Sequence, residues 1–112
     1  MTQLTESELN QFIGTEHYYR HLLGFNYTDG VKFMAERGKA YWLIDAIASY
    51  KRREPFQVWT LKVNDDKSAV LEMREDSDKP ALIKQEIPFT DFPLKFIELF
   101  LIDGVLLLTS EY

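Results

Sequence analysis

Apolar positions recur at helical spacing through the first half of the chain and switch to alternation in the second. Thr5 and Glu8 form a capping box, in which each side chain satisfies the other residue's backbone N–H. Leu9, Phe12 and Ile13 follow at helical spacing, and Gly14 fits the left-handed residue just past a helix end. In 16–23, Tyr18, Tyr19, Leu22 and Leu23 fall at positions that favour a helix, although adjacent tyrosines also suit a strand. Thr28 is a second N-cap, with Asp29 in the first turn where the helix dipole favours an acid. Val31, Met34 and Ala35 give that helix one apolar face, and Gly38 ends it. A longer helix is predicted over 39–53, stopped by Pro55, which forces its predecessor out of the α region. Its middle, 41–48, is apolar nearly all the way round and predicts a central helix buried on most sides.

From Phe56 the period becomes two. Strands are predicted over Phe56–Val63, 68–74, 82–88, 95–102 and 105–109. Asp103-Gly104 between two apolar runs predicts a tight hairpin, because both turn residues need positive φ. Helices followed by strands, without βαβ alternation, imply an α+β fold. The expected arrangement is N-terminal helices packed on one face of a C-terminal antiparallel sheet of about five strands in meander order. Residues 1–112 are read as one domain, with helices over 1–54 and the sheet over 55–112. The segment Phe96–Ile102 is apolar on both faces, which places it in the centre of the sheet or at a partner interface.

Composition narrows the class. The chain is 46% hydrophobic and 28% charged, a globular balance that excludes disorder. With no cysteine there is no disulfide framework and no thiolate metal site, and a cytoplasmic location is expected. The N-terminus has neither a basic stretch nor an apolar one, so no signal peptide is expected. The longest apolar run, 40–44, falls far short of the roughly 20 residues of a membrane span. The net charge of −5 sits in the second half, where eleven acidic side chains face six basic ones; the first half holds seven of each. That excess disfavours nucleic acid as a partner.

Few residues carry candidate chemistry. His17 and His21, the only histidines, would share one face of a helix, as in a zinc pair. Tyr18 stands where the metalloprotease motif needs glutamate, and a third ligand would have to be Asp45 or Asp29. The simpler reading makes both histidines surface residues. Asp45 is the one charged side chain between Lys39 and Lys51, so burial there would demand a partner. Helical spacing aligns it with Tyr41, Ser49 and Arg52, and Arg20, His17 or His21 could reach it. His17, Arg20, His21, Tyr41 and Asp45 therefore form the candidate ligand-binding or polar cluster, for which a structural role is the simpler reading. Lys51-Arg52-Arg53 could meet phosphate, but cations are expected at a helix C-terminus from the dipole alone. Asp65-Asp66 and Asp76-Ser77-Asp78 lack the EF-hand spacing. No catalytic, cofactor or metal signature is present, so none of the three is assigned. Phe96, Phe100, Ile102, Val105 and Leu107 form the candidate interface, because apolar positions on both faces of a hairpin suit self-association.

Five segments carry a resemblance: Gly14-Thr15-Glu16-His17-Tyr18-Tyr19-Arg20-His21, Tyr27-Thr28-Asp29-Gly30-Val31-Lys32, Tyr41-Trp42-Leu43-Ile44-Asp45-Ala46-Ile47, Thr90-Asp91-Phe92-Pro93-Leu94 and Leu107-Leu108-Thr109-Ser110-Glu111-Tyr112. Across nearly the whole chain they resemble a family of small bacterial proteins, often cyanobacterial, known as a domain of unknown function. The resemblance implies a stand-alone cytoplasmic protein and brings no activity. The first expectation is thus a non-enzymatic protein-interaction module, a homodimer through its last strands. The alternative is a small-ligand or metal-dependent enzyme built on the His/Asp cluster. The third is a nucleic-acid-associated accessory protein using residues 51–53.

Overall fold

A computed structural model describes residues 4–22, 24–51 and 53–112. Residues 1–3, Leu23 and Arg52 lie outside it, and with them the expectations placed on the extreme N-terminus, on Leu23 in the 16–23 segment and on Arg52 in the basic triplet. In chain order the elements are α1 (Glu6–Asn10), β1 (Tyr18–Arg20), β2 (Asn26–Thr28), α2 (Asp29–Arg37), α3 (Tyr41–Ser49), β3 (Phe56–Val63), β4 (Ala69–Arg74), β5 (Ile83–Ile87), β6 (Phe96–Ile102) and β7 (Val105–Leu108), closed by a 3₁₀ turn at Thr109–Glu111.

The fold is α+β, but its sheet has seven strands, in the order β1-β2-β7-β6-β3-β4-β5. It is mixed: β2 lies parallel to β7, while the other ladders are antiparallel. This corrects the expected five-stranded antiparallel meander in two ways. Two strands come from the first half, where 16–23 was expected to be helical. Tyr19 pairs with Tyr27 across β1 and β2, and their stacked rings lie 5.6 Å apart. Such aromatic cross-strand pairing draws a short segment into a sheet. The 54/55 division is therefore not a structural boundary.

The second correction concerns order. β3, β4 and β5 are joined by hairpins, but β6 returns to lie beside β3, which is a Greek-key arrangement. The returning segment is pinned along its course. Thr90 N–H donates to the Lys67 carbonyl at 2.8 Å, Phe92 N–H donates to Thr90 Oγ1 at 3.1 Å, and the Phe92 ring is buried in the core near Gly38. Burial of that phenyl ring is worth roughly 1.5–3 kcal/mol, which draws the crossing over the helical side.

The core lies on one face of the sheet. Trp59, Leu61, Leu71, Met73, Leu99 and Leu106 are at most 1% exposed and pack against Val31, Met34 and Ala35 of α2 and Leu43, Ile44 and Ile47 of α3. Helix α3 is not buried all round. Tyr41, Asp45 and Ser49, four residues apart, form its solvent stripe. It also stops at Ser49, well before Pro55, because the chain turns left-handed at Lys51 with φ 53°. Among the described residues no helix is long and apolar enough to cross a membrane.

Local signals set the ends of several elements. The Thr5–Glu8 capping box forms, and Thr28 caps α2 by accepting the Val31 N–H. Asp103 and Gly104 both have positive φ, 48° and 82°, as the tight hairpin requires. The C-terminal turn then reaches back to α2. Glu111 Oε1 accepts the Thr28 hydroxyl at 2.6 Å and the Leu108 N–H at 2.9 Å, while Oε2 accepts the Gly30 N–H at 3.2 Å. A carboxylate there meets both unsatisfied N–H groups and the positive end of the helix dipole.

That contact leaves no room for a side chain at position 30 unless Glu111 and Leu108 move, because an added Cβ would lie 2.7 Å from Glu111 Cδ and Leu108 Cδ1. Gly30→Ala is expected to lose about 1–3 kcal/mol in urea unfolding. Lys51→Gly, by contrast, relieves a left-handed backbone and is expected to gain about 1 kcal/mol in the same assay.

Candidate functional site

The histidine pair is set by the local backbone. Residues 18–20 are extended, so a spacing of four does not stack the two rings as a helix would. His17 faces Asp29, with Nδ1 3.8 Å from Oδ1, and is 71% exposed. His21 instead meets Asp45, with Nε2 2.7 Å from Oδ1, and its ring packs on Phe25 at 5.4 Å. Each aspartate considered as a shared third ligand thus takes one histidine. Arg20 is exposed on β1, and the Tyr41 hydroxyl donates to Glu36 Oε1 at 3.4 Å. Of the five predicted cluster residues, only His21 and Asp45 come together. Asp45 is 68% exposed, so it is not the buried carboxylate the sequence suggested. Among the described residues no group of three or more His, Asp or Glu side chains could hold a metal.

Asp29 is the more connected carboxylate. Its Oδ2 accepts the backbone N–H groups of Glu16 at 3.0 Å and His17 at 3.3 Å, and its Oδ1 accepts the Tyr19 hydroxyl at 2.8 Å. Its own N–H donates to Thr15 Oγ1 at 2.9 Å. Those donors favour the ionised form, and the Tyr19 hydroxyl leads in holding the Asp29 carboxyl below its ordinary value of 3.8. The same bond, to a carboxylate, raises Tyr19 above its ordinary value. The Thr28-Asp29-Gly30 cap signal marked this spot in the sequence. Nothing there indicated Thr15, Tyr19 or Glu111 as its partners, because those contacts are made across the fold.

Two surfaces remain once this network is set aside. The first is the outer face of the sheet, opposite the helices. All five predicted interface residues lie on it: the registers place Ile102 beside Phe56 and Val105, and Phe100 beside Val58 and Leu107, while Phe96 pairs with Lys62 further along. Strands β6 and β7 are interior strands, so what they offer is this face and not an edge. Phe56, Phe100 and Tyr112 form an aromatic group with centroids 5.2–6.3 Å apart. The second is a cleft of about 560 Å³ beyond the C-terminal end of α3, between Phe25, Ile47, Lys51, Arg53, Asp103 and the buried Gln57. Of the basic triplet, Lys51 and Arg53 thus stand at a concave site.

The arrangement defines an α+β protein with helices and their connections on one side of a mixed sheet and an open, partly apolar face on the other. The chain belongs to a family of unknown function, DUF6876, whose model matches residues 3–112. No curated protein and no solved structure matches it.

The Asp29 network predicts a pH signature. A carboxyl with a lowered folded value stabilises the fold above its unfolded value and loses that contribution as pH falls through the folded one. In acid titrations of stability, wild type should lose more than Asp29→Asn as pH drops below about 4. Parallel curves for the two proteins would show that Asp29 is not coupled to folding.

Proposed function

We propose that this protein is a non-enzymatic interaction module that self-associates through the outer face of its sheet. The observation that carries this reading is the alignment of Phe56, Phe100, Ile102, Val105, Leu107 and Tyr112 on three adjacent strands and the turn that follows them, opposite the core. Tyr112 is 78% and Phe96 48% exposed. Apolar groups gathered on one exposed surface favour burial against a partner.

A second copy suits this face in size and charge. Seven strands about 4.8 Å apart, three to eight residues long at about 3.3 Å each, span a flat area of roughly 570 Å², which is most of the ~800 Å² that each partner gives a standard interface. Beyond the apolar region, the outward positions alternate in sign: Lys62, Arg74 and Lys84 against Glu72, Glu86 and Glu98. Three of each leave the strip neutral, and Arg20, outward on β1, leaves the face a single net charge, so an identical face meets little net repulsion across a two-fold axis.

Light scattering coupled to size-exclusion chromatography should give twice the chain mass for wild type. Phe100→Asp combined with Leu107→Lys, both at outward positions, should give a monomer with unchanged circular dichroism. A wild-type monomer at up to about 1 mM, where even a Kd near 1 mM would register, would overturn the reading.

A further inference from the structure

We propose that the cleft at the end of α3 binds a free α-amino acid with an apolar side chain. Its volume of about 560 Å³ falls in the roughly 300–1,000 Å³ range of small-molecule sites. Phe25, Ile47 and Leu101 supply an apolar wall. Around that wall stand charges of both signs, Lys51 and Arg53 with Glu54 and Asp103. A simple anion would meet the Asp103 carboxylate there, and a simple amine would meet Lys51 and Arg53. A molecule carrying a carboxylate and an ammonium on one carbon can face each to its opposite.

Gln57 gives the cleft a fixed polar point. It is 1% exposed, and its Oε1 accepts the Trp59 Nε1–H at 2.8 Å. That bond settles which way the amide faces. The Nε2 group is turned toward the Glu54 carbonyl, to which it donates at 3.3 Å, and this uses one of its two N–H donors. The second donor is available to a ligand carboxylate. The backbone around the cleft is equally particular. Among the described residues six have positive φ, and four of them, Gly24, Lys51, Asp103 and Gly104, line this cleft. Asp103 and Gly104 take it from the β6–β7 hairpin and Lys51 from the end of α3, so fixed turns frame the cleft. The cleft opens on the helical side, so this inference stands apart from self-association through the outer face.

The test is calorimetric titration of the full chain with L-phenylalanine and L-leucine, alongside 3-phenylpropionate and 2-phenylethylamine, which each lack one charge. L-Phenylalanine or L-leucine should bind saturably. For the phenylalanine series, each analogue should bind about tenfold more weakly than the amino acid, the loss expected when ion contacts at a partly exposed site are removed. Lys51→Gly with Arg53→Ser should weaken phenylalanine about tenfold and leave 2-phenylethylamine no weaker. Asp103→Asn should weaken phenylalanine and leave 3-phenylpropionate no weaker. Glycine and asparagine both accept positive φ, so the substitutions at 51 and 103 keep the backbone, and thermal melts verify it. Absence of saturable binding by both amino acids, an analogue binding as tightly as phenylalanine, or unchanged affinity in either variant would overturn the proposal. Loss of amino-acid binding in the Phe100→Asp, Leu107→Lys protein would also overturn it, by moving the site to the outer face.

Discussion

The Glu111 carboxylate is the contact on which the joining of the two halves depends. β2 meets β7 over only two residue pairs, Asn26 with Val105 and Tyr27 with Leu106. A parallel ladder so short gives little stability by itself. Glu111 fastens the same junction a turn further on, holding the Thr28 hydroxyl at the end of β2, the Gly30 N–H of α2 and the Leu108 N–H of its own segment. Bonds to an ionised acceptor are roughly twice as strong as neutral ones, so three of them outweigh the ladder they guard. With α2 held there, Val31, Met34 and Ala35 stay seated on the sheet, and α3 can pack beside them.

Charge takes on a different meaning once the strands are placed. The acidic excess of the second half does not lie on the sheet. It lies in the connections, at Asp65 and Asp66, at Glu75, Asp76 and Asp78, and at Asp91, while the outward strand positions balance. Solvated loop carboxylates repel one another weakly through water and salt. Because they lie in the connections, they leave the outer face of the sheet free of that excess. The charged pairs at the surface, such as Lys95 with Asp65 at 3.2 Å, are too exposed to add much to stability.

Much of the second half was legible because its signals are local. Alternation placed β3 to β7 within a residue or so, and Asp103-Gly104 announced its turn. The caps at Thr5 and Thr28 were equally legible, since a cap is a contact between near neighbours. What failed was set by distant residues. β1 and β2 have three residues each, too few for a period, and they become strands because β7 and the Tyr19–Tyr27 stack receive them. The return of β6 beside β3 depends on the burial of Phe92, which no short-range pattern encodes. Of the candidate sites, the alternation of β6 and β7 put all five candidate interface residues on one face, whereas the histidine cluster rested on a helix that is not there. Asp45 misled for a related reason: in a helix this apolar, the side turned to solvent is chosen by the fold around it.

The parallel pairing of β2 with β7 also orders events in time. The ladders among β3 to β7 need no residue before Phe56, and neighbouring strands of the β3–β5 run can zip as soon as they exist. The ladder that β2 makes with the sheet needs residues 105–106, and its fastening needs residue 111, about eighty positions downstream. Closing a loop of that length is slow compared with forming a hairpin. During vectorial synthesis the segment made early is therefore among the last to settle. Until then Val31, Met34 and the apolar side of α3 wait exposed, and this interval is when the nascent chain most needs protection from its neighbours.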